Sequence, residues 1–410
     1  MPQAADTREV TSLGTDSAAC LCPACEKAPM RIFYTARNVP TNSCILLSTP
    51  EEARAYPTGD IALGFCDLCG FVFNTAFDLA KTEYSGRYEE TQAFSGTFNR
   101  FHRELAERLV NTYDLHDKDV LEIGCGKGEF LVLLAELGNN RGVGIDPGVD
   151  LERVETAAPG LLKFIPDFYS EAYGDHKVDF LACKMTLEHI PRAGQFVSTV
   201  RRGLGDQTDA VVFFQVPEAF RIFNQCAFED IYYEHCAYFS VGSIGRMFRA
   251  IGFDALDIAT EYGEQYLTIE ARPRAAGAPP KPPQPGEDDL AIMAGLIDTF
   301  ARRCRERLDH WRGVIEEAKA AGDTIVLWGS GSKAVSFLST LDAGADIDYV
   351  TDINPHRHNH FMPITAQRIV PPAELAAIRP GLVICMNRVY EEEIRADLAK
   401  IGLTPRIVSL

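Results

Sequence analysis

The stretch from Val120 to Asp146, VLEIGCGKGEFLVLLAELGNNRGVGID, admits few folds. An apolar run of strand type, Val120 to Ile123, breaks into Gly124-Cys-Gly126-Lys-Gly128, and Phe130 to Leu137 resumes with helical spacing. A second apolar run, Gly142 to Ile145, ends on Asp146. Strand, glycine turn, helix, strand, acid is the first unit of a nucleotide-binding α/β sheet. The glycines let the backbone turn sharply and approach a ligand with no Cβ in the way. Asp146, at the tip of the second strand, is placed to accept hydrogen bonds from ribose hydroxyls.

Two ligand classes fit such a unit, dinucleotides and S-adenosylmethionine (SAM). A dinucleotide asks for G-x-G-x-x-G, which seats a pyrophosphate on a helix N-terminus. Here the spacing is Glu122-x-Gly124-x-Gly126-x-Gly128, with an acid before the first glycine. That pattern resembles motif I of class I SAM-dependent methyltransferases. SAM carries an amino group and a sulfonium in place of a phosphate, so acidic residues suit it. Farther on, Leu161 to Ile165, Val178 to Ala182 and Val211 to Pro217 read as further strands of a doubly wound sheet. Asp167 follows the first of these and is expected at the adenine. Glu188 and His189 fall at the C-terminal end of another, where ligands bind in such folds.

Length and charge bound the rest. A chain of 410 residues predicts two or three domains. The net charge of −18 argues against a nucleic-acid phosphate backbone as partner. Residues 1–19 are polar, lack a signal-peptide apolar core and are expected to be a disordered extension; no run is apolar enough to span a membrane. The default location is therefore cytoplasmic, with a small molecule as substrate and a monomer as the expected state. Cysteine usage agrees: four of the twelve cysteines form the pairs Cys22-x-x-Cys25 and Cys66-x-x-Cys69. Two such knuckles complete a tetrahedral Cys₄ shell, as in zinc ribbons, and with no position open for water the zinc is structural. Cys20 and Cys44 are alternates that spacing does not separate.

The densest polar cluster is Tyr232-Tyr-Glu234-His235-Cys-Ala-Tyr238. Such groups are costly to bury without partners, and acid–base chemistry accounts for them, with His235 titrating near neutrality and Glu234 orienting it. Tyr84 and Tyr88, just before the core, serve either as packing between modules or as a lid over substrate. Residues 273–287 are rich in proline, glycine and alanine and read as a linker or exposed loop. A long charged helix, Asp288 to Ala321, leads to a second α/β unit with its own turn, Gly329-Ser330-Gly331-Ser-Lys333, and with Asp352 in the ribose position. The third glycine of a dinucleotide site is missing; free N–H groups and Lys333 suit a phosphate instead.

Four marks in this order carry a wider resemblance: the cysteine knuckles, motif I, Tyr232-x-Glu234-His235-x-x-Tyr238-Phe-Ser240, and Trp328-Gly-Ser-Gly-Ser-Lys333 with Asp352-Ile-Asn354-Pro-His356. Over about residues 20–410 the chain resembles the nucleotide-sugar C-methyltransferases typified by dTDP-sugar C-3′ methyltransferases. It departs from them at Pro363-Ile-Thr-Ala-Gln367, where a Pro-Gly-Thr-like turn is usual. The resemblance implies a zinc-binding module (20–88), a class I SAM-dependent methyltransferase domain with a Rossmann-like core (89–272), and a C-terminal Rossmann-like α/β domain (288–410). The substrate it implies is a nucleoside-diphosphate 4-keto-deoxysugar, methylated beside the ketone. The C-terminal unit would hold the nucleotide through Gly329, Ser330, Gly331, Lys333 and Asn354. His235 would be the base, surrounded by Tyr232, Glu234, His189 and a tyrosine of the Tyr84/Tyr88 pair. The rival readings are an O- or N-methyltransferase on a non-sugar molecule and a non-catalytic zinc- and nucleotide-binding protein.

Overall fold

A computed structural model describes residues 20–174 and 176–410; the extension expected at 1–19 lies outside the described residues. Its first strands are β1 (Arg31–Pro40), β2 (Thr58–Phe65) and β3 (Val72–Asn74), an antiparallel meander. The two C-x-x-C turns sit at its ends, and the second closes through Gly70, whose φ of 76° suits glycine.

The central strands are β4 (Asp119–Ile123), β5 (Arg141–Ile145), β6 (Leu162–Ile165), β7 (Phe180–Lys184) and β8 (Val211–Pro217). They are parallel and, on their buried stretches, almost wholly apolar, as strands covered on both faces must be. The chain then forms β9 (Ala237–Tyr238), β10 (Phe253–Glu261) and β11 (Tyr266–Pro273). The seven-stranded order is β10-β11-β8-β7-β4-β5-β6, with β11 antiparallel to both neighbours. Winding reverses at β4, so a crevice opens at its C-terminal end, where Gly124 begins.

The short β9 does not join that sheet. It pairs with β3, Val72 against Tyr238, and completes the order β1-β2-β3-β9. The segment from Tyr232 to Ser240 is thereby fastened to the N-terminal module, and the expected boundary at residue 88 divides units that share a sheet.

The C-terminal unit has β12 (Ile325–Trp328), β13 (Tyr349–Thr351), β14 (Ile369–Val370), β15 (Leu382–Cys385) and β16 (Arg406–Ser409). All are parallel, in the order β14-β13-β12-β15-β16, and the reversal falls at β12, directly before Gly329. The helix Leu290–Ala321, about 48 Å long at 1.5 Å per residue, ties this unit to the first. Its buried stripe runs Met293, Ile297, Phe300, Cys304, Leu308, Trp311, spaced three and four apart. Phe300 packs edge-on against Tyr34 of β1, and Trp311 against Phe337 of the C-terminal unit. The segment before this helix is pinned by Arg274 to Asp254 and by Arg249 to Glu287, so it is a loop tethered at both ends. Ile364, where the resemblance leads one to look for glycine, keeps a left-handed φ of 67° and donates its N–H to Ala53 of the N-terminal module. Among the described residues no helix is long and apolar enough to cross a membrane.

Candidate active site

Both glycine turns open on one cleft. At the first, Gly124, Gly126 and Gly128 have φ of 70°, 53° and 81°. A Cβ on Gly124 would lie 2.0 Å from the Thr186 hydroxyl, so the turn admits no side chain there. Gly126 donates its N–H to one Asp146 oxygen at 3.0 Å, and Gly148 donates to the other at 2.7 Å. Gly128 has a packing role instead: a Cβ there would strike the Phe164 ring at 2.7 Å, and the residue does not line the cleft. Beneath the turn Glu122 is buried, and among the described residues nothing bonds its Oε2. Burial pushes its pKa up to about 8, against the pull of Lys184.

The cavity over this turn, about 1860 Å³ with its mouth, is lined by Glu90, Glu122, Glu129, Asp146 and Asp167. A glycine cradle, an orphaned carboxylate oxygen and an acidic lining fit a ligand bearing an ammonium and a sulfonium. They do not suit a pyrophosphate. Asp167 stands at the mouth beside Phe168, its carboxylate taking the Tyr173 hydroxyl at 2.5 Å.

The second turn repeats the arrangement. Ser330 donates its N–H to Asp352 at 2.7 Å, and Asn354 donates to the other oxygen at 2.9 Å. The cavity here, about 1270 Å³, shares Cys44, Glu90, Gln92, Met185, Tyr232 and Ser332 with the first. Of the expected substrate contacts, Gly329, Gly331, Lys333 and Asn354 line this cavity and Ser330 does not. Ser330 turns its hydroxyl into Asp352 at 2.6 Å and is buried, whereas Ser332, which the sequence did not single out, lines both cavities. Asn354 donates its side-chain N–H to Glu89 at 2.9 Å. Lys333 is already paired with Asp230, at 2.5 and 2.6 Å, and Arg221 reaches the same carboxylate at 2.5 Å.

Where the cavities meet stand the aromatic and imidazole groups. Tyr232 and His235 touch through the hydroxyl and Nε2, 2.9 Å apart. The Tyr84 hydroxyl meets His189 Nδ1 at 3.0 Å, and the two imidazoles are perpendicular with centroids 4.7 Å apart. Burial, and then the neighbouring His189, push the His235 pKa well below its ordinary value; burial also lowers that of His189. The pKa values of Tyr84, Tyr88 and Tyr232 are pushed up by burial, so these phenols keep their protons.

Glu234 does not orient His235. Its carboxylate accepts from Asn42 Nδ2 and the Ser43 N–H, each at 3.0 Å, from the Tyr88 hydroxyl at 2.9 Å, and from the Ser43 hydroxyl. Glu234 thus faces the N-terminal module, whereas His235 lines the cleft. The carboxylate nearest His235 Nε2 is Glu188, at 3.9 Å.

The sulfurs of Cys22, Cys25, Cys66 and Cys69 all lie within 4.8 Å of one another, with Cys22 to Cys69 at 3.6 Å and Cys25 to Cys66 at 3.8 Å. A tetrahedral zinc with Zn–S near 2.3 Å spaces its sulfurs about 3.8 Å apart, so the four fit that ion. The alternates do not belong to the group: Cys20 is exposed, and Cys44 lies in the cleft against Ser332.

Two family profiles match this chain. A methyltransferase domain family matches residues 95–258, and a C-methyltransferase C-terminal domain family matches residues 288–404. The C-methyltransferase NovU of Streptomyces niveus is 24% identical over 324 residues, which cover 75% of this chain and 76% of that protein. Among solved structures, the 1,6-didemethyltoxoflavin-N1-methyltransferase of Burkholderia thailandensis is 17% identical with a TM-score of 0.33, over 44% of this chain and 82% of its own. The magnesium protoporphyrin IX methyltransferase of Synechocystis gives 15% and 0.35, over 44% and 84%. A methyltransferase-domain sheet, coupled through one long helix to a unit that matches the C-methyltransferase C-terminal domain family, makes this chain an enzyme that uses SAM and is similar in both domains to C-methyltransferases.

Proposed function

We propose that the enzyme methylates the carbon beside the ketone of a nucleoside-diphosphate 4-keto-deoxysugar, with His235 removing the proton from that carbon. One observation carries the reading: a single cleft has a pair of imidazoles at one end and, at the other, a second glycine turn flanked by Arg221, Lys333 and Arg357. Asp230 stands between Arg221 and Lys333 beside the second glycine turn. Arg357 lines the same end and donates to the Ser330 and Glu89 backbone carbonyls. A diphosphate suits that end. The sugar would then lie where Tyr232, Met185 and Ser332 line both cavities.

A C–H beside a ketone yields its proton when a base stands ready and the enolate oxygen is stabilised. Burial keeps His235 neutral and able to accept. Tyr84 and Tyr232 hold their protons and can donate to the developing oxyanion. Glu234 anchors Tyr88 and the Asn42–Ser43 loop, which closes the cleft from the N-terminal side. Asp146 and Glu122 would hold SAM, which supplies the electrophilic methyl group when bound. The four cysteines we assign to structural zinc. Its first knuckle rests on Gly194, where a Cβ would lie 2.6 Å from the Ala24 carbonyl, in the helix that follows Glu188 and His189.

The test is a mass shift of one methyl group across a panel of nucleotide 4-ketosugars, with His235→Ala as control. That variant should bind SAM normally and lose about 10² to 10⁴ in turnover. It should also lose exchange of the α-proton in D₂O. No methylated sugar in the panel, or wild-type turnover in the variant, overturns the proposal.

A further inference from the structure

Glu188 is a buried carboxyl group that the scheme above leaves unused. It sits on the turn after β7, next to His189, with 0% of its surface exposed. Among the described residues no group donates a hydrogen bond to either carboxylate oxygen. A carboxylate in that condition is costly unless it faces a positive charge or holds a proton. Burial does push its pKa up, to about 8.

The groups around it narrow the choice. Its own turn brings His189, and β7 brings Cys183. The segment fastened by β9 brings Tyr232, His235 and Cys236, the loop before the core brings Tyr84, and β11 brings Tyr266. Burial pushes the pKa of each of these thiols and phenols up, so they are neutral. Asp230 and Lys333 lie farther off and act on His235 in opposite senses. Two imidazoles stand near the Glu188 carboxylate; His189 is engaged by the Tyr84 hydroxyl, and His235 forms the closer pair, its Nε2 3.9 Å from Oε1. Glu234, the neighbour in sequence, has its oxygens filled by Asn42, Ser43 and Tyr88.

We propose that Glu188 is the carboxylate partner of His235, a positioning residue that sets which ring nitrogen carries the proton and faces the imidazolium formed during deprotonation. The inference rests on His235 being the base. With the proton on Nε2, which contacts the Tyr232 hydroxyl at 2.9 Å and faces Glu188 at 3.9 Å, the lone pair of Nδ1 is left for the substrate. When the C–H bond breaks, its electron pair stays on carbon as the enolate and the proton passes to Nδ1. The ring then bears one positive charge opposite the Glu188 carboxylate, and the proton returns to water as the enzyme resets. The division of labour is that of a catalytic triad, in which a buried carboxylate holds the imidazole in the right tautomer.

Glu188→Gln keeps the shape and removes the charge. Turnover should fall by about 10²-fold or more, with SAM affinity and substrate KM unchanged. The acid limb of the kcat–pH profile should move to lower pH, because the imidazole loses the carboxylate that favours its protonation. Glu188→Asp should recover part of the rate and restore the limb. If Gln unfolds the protein, the ¹⁵N shifts of His235 in the wild-type enzyme decide: an Nε2–H tautomer supports the inference, and an Nδ1–H tautomer overturns it. A Gln variant with wild-type turnover and an unmoved limb also overturns it. His235→Ala separates the two readings: if that variant is inactive while Glu188→Gln is normal, the base stands and only the partner is wrong.

Discussion

Asp230→Asn tests whether the C-terminal unit is clamped to the methyltransferase core by charge. Asp230 lies between the helix Ala219–Gln225 and the Tyr232 segment, is 8% exposed, and accepts from both Arg221 and Lys333. Burial alone would raise its pKa, but Lys333 and Arg221 outweigh burial and hold it well below the carboxylate range. The amide keeps the shape and leaves two part-buried cations facing each other without an anion. Breaking a buried pair in this way costs about 3–5 kcal/mol. Both tryptophans of the sequence, Trp311 and Trp328, lie in the C-terminal unit or on the helix packed against it, so their fluorescence follows that part of the molecule. With a urea slope of about 1–3 kcal/mol/M, the fluorescence midpoint should fall by roughly 1 M or more at neutral pH. The sign with pH is fixed. A depressed aspartate contributes stability above its ordinary value of 3.8, and that contribution is lost as pH falls through the folded value. The gap between wild type and variant should therefore narrow in acid. Adding Lys333→Met to Asp230→Asn should recover part of the loss, since it removes one of the stranded cations. A loss below about 1 kcal/mol at pH 7 would mean that the clamp is solvated and that apolar packing alone holds the unit.

The purified protein should carry one tightly held zinc, and Cys66→Ser should lower soluble yield and thermal stability because metal binding and folding are coupled; metal analysis and a melting curve check this. Asp146→Ala should weaken SAM binding by about 1.5–3 kcal/mol, the value of a charge-assisted hydrogen bond. Gly124→Ala should abolish SAM binding, since its Cβ would sit 2.0 Å from the Thr186 hydroxyl at a φ of 70°; titration calorimetry reads both. Glu122, raised to about 8 by burial, should give up a proton when a cationic ligand arrives. Calorimetry at pH 7 in buffers of different ionisation enthalpy should detect that release in wild type and lose it in Glu122→Gln.

The parts of this enzyme legible in the sequence are those set by near neighbours. A strand, a glycine turn and a helix declare themselves through residues a few positions apart, so both α/β units, the SAM-type turn and the cysteine knuckles were readable before any coordinates. What a residue faces is set by contacts across tens or hundreds of positions. Glu234 stands beside His235 in the chain, and its oxygens are taken by Asn42, Ser43 and Tyr88. Glu188, 47 positions upstream of His235, supplies the nearest carboxylate. Lys333 looked free for a phosphate and is engaged by Asp230, 103 positions away. The two-residue strand β9 carries no periodic signal, yet its pairing with β3 delivers Tyr232 and His235 to the cleft. The sequence by itself determined the local conformations and the ligand class of the first turn, because those depend on backbone freedom and the spacing of side-chain types. Tertiary structure alone decided the partner of each buried charge, because a polar group taken out of water pairs with whatever donor or acceptor folding brings within reach.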